Sequence, residues 1–112
     1  MEELLDQLNT YMLFDEITSV SAKDIIQFLL IKNYQKMDIN IIVNSPGGEC
    51  QQGFSIINFM KSCNIDISTI CVGSVCSMGT AIAIAGTKGQ RIITKNTDYP
   101  VSRKTSPFMA EI

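Results

Sequence analysis

Two apolar runs of this chain each end in a glycine-containing turn, and a helical pattern follows each turn. Residues 39–43 lead into the turn at residues 44–48, and residues 65–72 lead into the turn at residues 73–79. Both runs are rich in β-branched residues, which is typical of parallel strands buried on both faces. A strand, a helix and a second strand in this order form a βαβ unit with a right-handed crossover. The chain is therefore predicted to be an α/β protein with a parallel sheet.

The same two turns offer backbone chemistry. The first N–H groups of a helix have no partner within that helix, so each turn presents free donors at a helix N-terminus. Turns that met at one point would form an anion-stabilising pocket with Ser77 at its mouth, which is what acyl transfer requires. A structural explanation also exists for each turn, because Pro-Gly-Gly makes ordinary tight turns and a serine that opens a helix is most often its N-cap. The spacing alone leaves both explanations open.

Periodicity and capping residues predict the elements before the first turn. Leucines at helical spacing indicate a short helix in residues 1–10, and residues 11–14 indicate a strand. A longer helix is predicted to follow, with Ser19 and Ser21 as its N-cap candidates, and Ser21 with an acid three residues later forms a weak capping box. It is predicted to end near Lys32, where a basic side chain suits the helix dipole.

Further elements are predicted after the first turn. Residues 51–63 indicate a helix whose buried face carries Phe54, Ile57 and Met60 and is widened by Ile56 and Phe59. Residues 77–85 are rich in small side chains, so a helix there is predicted to be central and buried. A third strand follows at residues 91–94. From about Thr97 onward the sequence shows neither a helical nor a strand period, and this part of the chain is predicted to be irregular.

Composition narrows the possible functions. With 112 residues the chain is predicted to be a single domain, and its 46% hydrophobic content suggests that another subunit covers part of it. The net charge of −2 provides no basic surface for nucleic acid. No apolar run approaches the roughly 20 residues of a membrane-spanning helix, and the acidic start is unlike a signal peptide. We therefore expect neither a nucleic-acid nor a membrane partner.

The four cysteines are expected to be reduced thiols. Cys50, Cys63, Cys71 and Cys76 match no zinc spacing, and the chain has no histidine to complete a mixed site. Without a secretory signal, the simplest interpretation is four free and mostly buried thiols in a reducing, cytoplasmic compartment. No metal site and no cofactor is predicted.

Several motifs together resemble one known family. They are the Asn-Ser-Pro-Gly-Gly turn at residues 44–48, the Ser-Thr-Ile-Cys-Val-Gly run at residues 68–73, Ser-Met-Gly at residues 77–79, the Ala-Gly-Thr-Lys-Gly-Gln-Arg stretch at residues 85–91, and Asn96. In this order and spacing they resemble the proteolytic subunit of the ATP-dependent Clp protease. The resemblance covers roughly residues 11–96.

The resemblance implies a fold, an activity and partners. The implied fold is the crotonase-like stack of ββα units of the Clp peptidases, shared with the enoyl-CoA hydratases. The implied activity is serine endopeptidase cleavage of unfolded polypeptides through an acyl-enzyme. The implied partners are further copies or relatives in a double seven-membered ring, with an AAA+ unfoldase on its outer faces.

The resemblance also implies roles for individual residues. Ser77 falls on the nucleophile, and the backbone N–H groups of Gly48 and Met78 fall on the oxyanion hole. The remaining matched positions would shape the two turns: Pro46, Gly47, Gly73 and Gly79.

The chain departs from the family after its core. The position of the catalytic histidine falls on Ser102, and no counterpart exists for the family's downstream aspartate or its ring-to-ring helix. We therefore expect a core at residues 1–96 and an irregular tail at residues 97–112 that does not match the family. A C-terminal truncation or a shifted reading frame would explain this tail.

Loss of the histidine bears directly on activity. A serine without a general base is a poor nucleophile, so the chain alone is expected to be inactive or impaired. A Ser–Lys dyad would need Lys88, Lys95 or Lys104 to be desolvated, and Lys88 lies in a glycine-bracketed turn expected to be wet. Asp98 and Glu111 are interpreted as solvated surface charges.

Three hypotheses follow from the sequence. The first is a degenerate or truncated serine peptidase without its base. The second is a non-catalytic ring subunit that assembles with intact relatives. The third is a crotonase-like acyl-CoA enzyme, which uses the same pair of N–H groups but needs no nucleophile at Ser77.

Overall fold

The computed structural model describes residues 1–94, Thr97, and the backbone of residues 109–111. Helices and strands alternate along most of this part of the chain. The elements are α1 (Glu2–Gln7), β1 (Thr10–Leu13), α2 (Ser19–Gln35), β2 (Ile39–Val43), α3 (Cys50–Ser62), β3 (Ile67–Cys71), α4 (Met78–Ile84), β4 (Arg91–Thr94) and β5 (Met109–Glu111). No helix among them is both long and apolar enough to cross a bilayer.

The strands form one sheet in the order of the sequence, β1-β2-β3-β4-β5. The first four strands are parallel, and β5 runs antiparallel to β4. Each parallel pair is joined by a helix, and α2, α3 and α4 pack side by side in chain order. The prediction of an α/β protein with a parallel sheet is confirmed.

The two central strands bury alternate residues. In β2 the side chains of Ile39, Ile41 and Val43 are fully buried, whereas those between them are only partly buried. The same alternation holds in β3. The prediction that both strands are buried on both faces is therefore wrong for the described chain, because the helices cover one face of the sheet.

The other face of the sheet carries an apolar row. Met12, Ile42, Ile70 and Ile92 are register partners on β1 to β4, and partners in register project to the same face. Met12 is 44% exposed, and the three isoleucines are partly buried. These four residues, called the open-face row below, explain why the strands look continuously apolar in sequence.

The start of α2 differs from the prediction. Its N-cap is Thr18, whose hydroxyl accepts a hydrogen bond from the N–H of Ser21, while the Ser21 hydroxyl accepts one from the N–H of Thr18. Ser21 is thus the third helical residue of a reciprocal capping box rather than the cap. The helix ends later than predicted, at Gln35, and Lys36 closes it in a left-handed conformation.

Lys32 connects α2 to α1. Its ammonium group is 3.0 Å from both the backbone oxygen and the Oδ1 atom of Asp6, and its side chain is only 4% exposed. It also lies 5.7 Å from the centre of the Phe28 ring. The side chain predicted to complement the dipole of α2 instead holds α1 against the domain.

The buried face of α3 agrees only in part with the predicted face. Gly53, Ile56 and Met60 are buried, whereas Phe54 is 55% exposed. A β-carbon on Gly53 would lie 3.1 Å from the β-carbon of Met78. A glycine therefore belongs to the core face here, because it allows α3 to approach α4 closely.

The tail contributes one strand to the sheet. The sequence predicts no regular element beyond Thr97, yet Met109–Glu111 pair with β4 as β5. The prediction of an irregular tail is therefore corrected at these three residues. Short strands carry too little periodicity to be recognised without their partner.

Candidate active site

The sheet brings the two predicted turns together at the carboxyl ends of β2 and β3. β2 and β3 are neighbouring strands, and Val43 at the end of β2 is in register with Cys71 at the end of β3. The polypeptide leaves the sheet at this same end of both strands. The turn after β2 and the turn after β3 therefore start side by side. Parallel strands place their carboxyl ends together, which is where sites form in open α/β sheets.

Two hydrogen bonds join these turns. The N–H of Cys76 donates to the backbone oxygen of Ser45 over 3.2 Å. The N–H of Ser74 donates to the Oδ1 atom of Asn44 over 2.9 Å. The first turn thus supplies both acceptors, and it fixes the position of the second.

Gly47 forms the closest contact between the turns. A β-carbon on Gly47 would stand 2.7 Å from that of Ser77 and 3.0 Å from the backbone nitrogen of Met78. Gly47 is buried and has a φ of 100°, a region that other residues rarely adopt. Only glycine fits between the two turns at this point.

The other residues predicted to shape the turns lie around this contact. Gly79 packs on the backbone oxygen of Ser45, and Gly73 packs on the side chain of Asn44. Pro46 is exposed on the outer side of the first turn. The structure therefore brings all four of these positions into one pair of touching turns.

Ser77 has an unusual backbone conformation, with φ 55° and ψ −127°. Such values are rare for a residue with a side chain and occur mainly where the surroundings impose them, often at functional sites. Although Ser77 occupies the N-cap position of α4, its side chain makes no capping hydrogen bond, and the residue is exposed. Ser77 therefore stands at the N-cap position without capping α4 through its side chain.

The two predicted oxyanion donors are neighbours in space. Met78 is the first residue of α4, and its nitrogen lies beside Gly47, the residue directly before Gly48. Within the described residues, neither the N–H of Gly48 nor that of Met78 donates a backbone hydrogen bond. Because α4 has only seven residues, these two N–H groups matter more for an anion than the helix dipole does.

The rest of the first turn is held by residues that the sequence analysis does not single out. The side chain of Ser45 is completely buried; its hydroxyl donates to the backbone oxygen of Asp15 over 2.8 Å and accepts from the N–H of Gly47 over 3.2 Å. Ile17 forms an isolated parallel bridge with Gly48. A serine two residues before a glycine is a recognisable turn signal, but its acceptor on a loop 30 residues away is not visible in sequence.

A protein-family comparison bears on this pair of turns. The family model for the Clp protease matches residues 1–108 of the chain. The chain belongs to the Clp protease family. The match extends past both ends of residues 11–96, on which the sequence resemblance rests, and enters the stretch predicted not to match.

Clp protease family membership makes the missing base the main question about the site. The chain contains no histidine. Lys88 is exposed beside Thr87, whose N–H donates to Ile67 at the start of β3, whereas Ser77 follows the end of β3. β3 is about 16 Å long, so Lys88 and Ser77 lie toward opposite ends of this strand, which argues against Lys88 as the base of Ser77.

The other lysines considered as a base in this Clp family chain, the position of the family's histidine and the two tail carboxylates are not described in full. Lys95, Lys104, Asp98 and Ser102 lie outside the described residues, and only the backbone of Glu111 is included. Within the described part, no group of three potential ligands is arranged to hold a metal ion.

The thiols fall into two groups. Burial raises the pKa of Cys71 to about 12 and also raises that of Cys63, whose Sγ donates to the oxygen of Phe59. Cys50 and Cys76 are exposed. All four are unpaired, but the prediction that they are mostly buried is wrong.

A cleft lies apart from the candidate site, at the β1 edge of the sheet between α1, β1 and α2. It has a volume of about 440 Å³, and Tyr11, Asp24 and Phe28 are part of its lining. The Tyr11 hydroxyl donates to Oδ2 of Asp24 over 2.6 Å. Burial, followed by this hydrogen bond, raises the pKa of Tyr11.

Proposed function

We propose that this chain supplies the nucleophile and oxyanion hole of a Clp-type serine endopeptidase. The observation that carries the proposal is the exposed Ser77 hydroxyl, held in a strained turn beside two N–H groups that no described backbone group accepts from. In the proposed reaction Ser77 Oγ attacks the carbonyl carbon of a peptide bond in an unfolded polypeptide. The oxygen gains negative charge and accepts from the N–H groups of Gly48 and Met78. Departure of the amine leaves an acyl-enzyme, which water hydrolyses.

Proton transfer is the incomplete part of this mechanism. The attacking hydroxyl must lose a proton, and the amine must gain one before it leaves. The chain has no histidine for either transfer. We propose that the chain alone is inactive or strongly impaired, since loss of one triad member typically leaves only about 10³–10⁴-fold catalysis over water.

Covalent labelling of Ser77 tests the proposal. The protein would be incubated with a fluorophosphonate and its intact mass measured, with Ser77→Ala as the control. A slow single adduct on the wild type that is absent from Ser77→Ala would support a weakly activated serine. Labelling as fast as in an intact Clp peptidase would refute the impairment, and no labelling over days would refute an activated nucleophile.

A role as a ring subunit is the second candidate, and the open-face row favours it. Among the described residues no helix covers this face of the sheet, and an apolar row on such a face indicates contact with another protein. Clp proteases generally work as oligomeric rings with AAA+ unfoldases. We propose that this chain joins such a ring, as copies or together with intact relatives, in the reducing cytoplasm.

Native mass measurement distinguishes the two candidates. The chain would be analysed alone and after mixing with an intact Clp peptidase. Ile70→Asp in the row is expected to abolish incorporation, whereas Tyr34→Asp on the exposed face of α2 should leave it unchanged. A chain that stays monomeric in both conditions would refute the ring role without affecting the labelling result.

A further inference from the structure

Three successive N–H groups, those of Gly47 and Gly48 in the first turn and of Glu49 directly after it, differ in whether they have a hydrogen-bond acceptor. The N–H of Gly47 donates to the Ser45 hydroxyl over 3.2 Å, and the N–H of Glu49 donates to the oxygen of Ile17 over 2.9 Å. The N–H of Gly48, between them, has no backbone acceptor among the described residues. The partners on either side thus determine which donor stays free.

Ser45 is buried at the place where its hydroxyl can accept the hydrogen bond of the Gly47 N–H. Its side chain is 0% exposed, and the hydroxyl uses its hydrogen on the oxygen of Asp15. A lone pair of the hydroxyl oxygen therefore faces the N–H of Gly47. The backbone oxygen of Ser45 accepts from Cys76 in the other turn, so one residue is bonded to both halves of the candidate site.

We propose that Ser45 is a positioning residue for the oxyanion hole. Its hydroxyl holds the N–H of Gly47 and so fixes the peptide between Pro46 and Gly47. The next peptide, between Gly47 and Gly48, is held at its oxygen by the N–H of Ile17 over 2.8 Å, and the two bonds together leave the N–H of Gly48 directed at the reacting oxygen. This role deepens the proposed function and rests on it for its catalytic consequence. The orientation of the turn is a separate statement that can be tested without catalysis.

Removal of the Ser45 hydroxyl tests whether Ser45 positions the oxyanion hole. Ser45→Ala deletes the acceptor of the Gly47 N–H, and Thr69→Val is the matched control. Thr69 also has a fully buried hydroxyl, which donates to the oxygen of Ala83 over 2.7 Å at a place remote from Ser77. Both variants lose one buried hydrogen bond, so both should lower the melting temperature.

The two variants are expected to differ at Ser77. Ser45→Ala should slow fluorophosphonate labelling of Ser77 about tenfold or more, since loss of one oxyanion donor costs about 10²–10³-fold and a misdirected one costs less. Thr69→Val should change the labelling rate less than about twofold, because its lost hydrogen bond makes no contact with the turns. Equal slowing in both variants would overturn the positioning role.

Amide exchange of ¹⁵N-labelled protein keeps this test separate from the proposed function. Ser45→Ala should speed exchange at Gly47 and shift the Gly48 amide resonance, and Thr69→Val should do neither. If wild type is never labelled but these amide changes occur, the proposed activity fails and the orienting role of Ser45 is supported. Unchanged Gly47 and Gly48 amides in Ser45→Ala would overturn that role in any case.

A second variant covers the case in which Ser45→Ala does not fold. Ser45→Cys keeps the side-chain shape but replaces the oxygen by a weak acceptor. It should give intermediate Gly47 exchange and, where wild type is labelled, an intermediate labelling rate. Wild-type values for both measurements would overturn the inference.

Discussion

Gly47 and Ser77 are 30 positions apart in sequence but touch where the two turns meet, since a β-carbon on Gly47 would come within 2.7 Å of the β-carbon of Ser77. The contact sets how closely the first turn approaches the strained serine. It also sets the distance between the two oxyanion donors, because the Met78 nitrogen lies 3.0 Å from the same point.

Gly47→Ala is therefore expected to lower the free energy of unfolding by about 3 kcal/mol, from backbone strain and a steric clash together. Gly89→Ala is the matched control, because Gly89 also has a positive φ, of 88°, but nothing lies within 4 Å of its added carbon. It should cost about 1–2 kcal/mol. Urea unfolding measures both, and equal losses would contradict the close contact.

Asn44→Ala is expected to loosen the second turn. Its amide oxygen accepts from the N–H of Ser74 over 2.9 Å, so faster deuterium exchange is expected in residues 73–79. Asn33→Ala removes a bond of the same kind, from the N–H of Asn64 over 2.8 Å, far from the site. Both should cost about 1 kcal/mol. Exchange in residues 73–79 that Asn44→Ala leaves unchanged would show that the bond does not hold the turn.

Lys32→Met is expected to release α1 without unfolding the domain. Methionine keeps the buried aliphatic part of the Lys32 side chain, and the carboxylate of Asp6, whose side chain is 67% exposed, becomes solvated. The free energy of global unfolding should therefore change by less than about 1 kcal/mol. Amide exchange in α1 should rise about tenfold or more, because hydrogen bonds to a charged group are lost. Lys61→Met, at an exposed position in the last turn of α3, is the control. Unchanged exchange in α1 would refute the tether.

Stability is expected to fall at high pH through Cys71. Burial raises its pKa from 9.0 to about 12, so between these values the unfolded state loses the proton first. The contribution of the protonated Cys71 thiol to the free energy of unfolding is therefore complete below about pH 9 and is lost as the pH rises toward 12. Urea midpoints at pH 8 and pH 11 measure this, and Cys71→Ala should flatten the decline.

The raised pKa of Tyr11 acts in the same direction. Tyr11→Phe should therefore also flatten the decline, and the double variant should flatten it further. Cys50→Ala removes an exposed thiol and is the control. A decline as steep in Cys71→Ala as in Cys50→Ala would contradict the assignment to the buried thiol.

Local sequence determined the class of fold and most of its elements. The β-branched runs and the helical periods gave β2, β3, β4 and the helices between them, because these patterns depend on each element having one buried face. The Asn-Ser-Pro-Gly-Gly turn and the Ser-Met-Gly segment were visible as short motifs, and with them the candidate residues Gly48, Ser77 and Met78.

Tertiary packing decided what those residues do. The missing side-chain cap of Ser77, the buried hydroxyl of Ser45 and the approach of Gly47 depend on contacts between segments about 30 residues apart, which no local pattern encodes. The same reason explains why the sequence does not predict β5 or the tether through Lys32, since each depends on a partner far along the chain. Sequence thus determined which groups are present, and packing determined which of their donors and acceptors remain free to react.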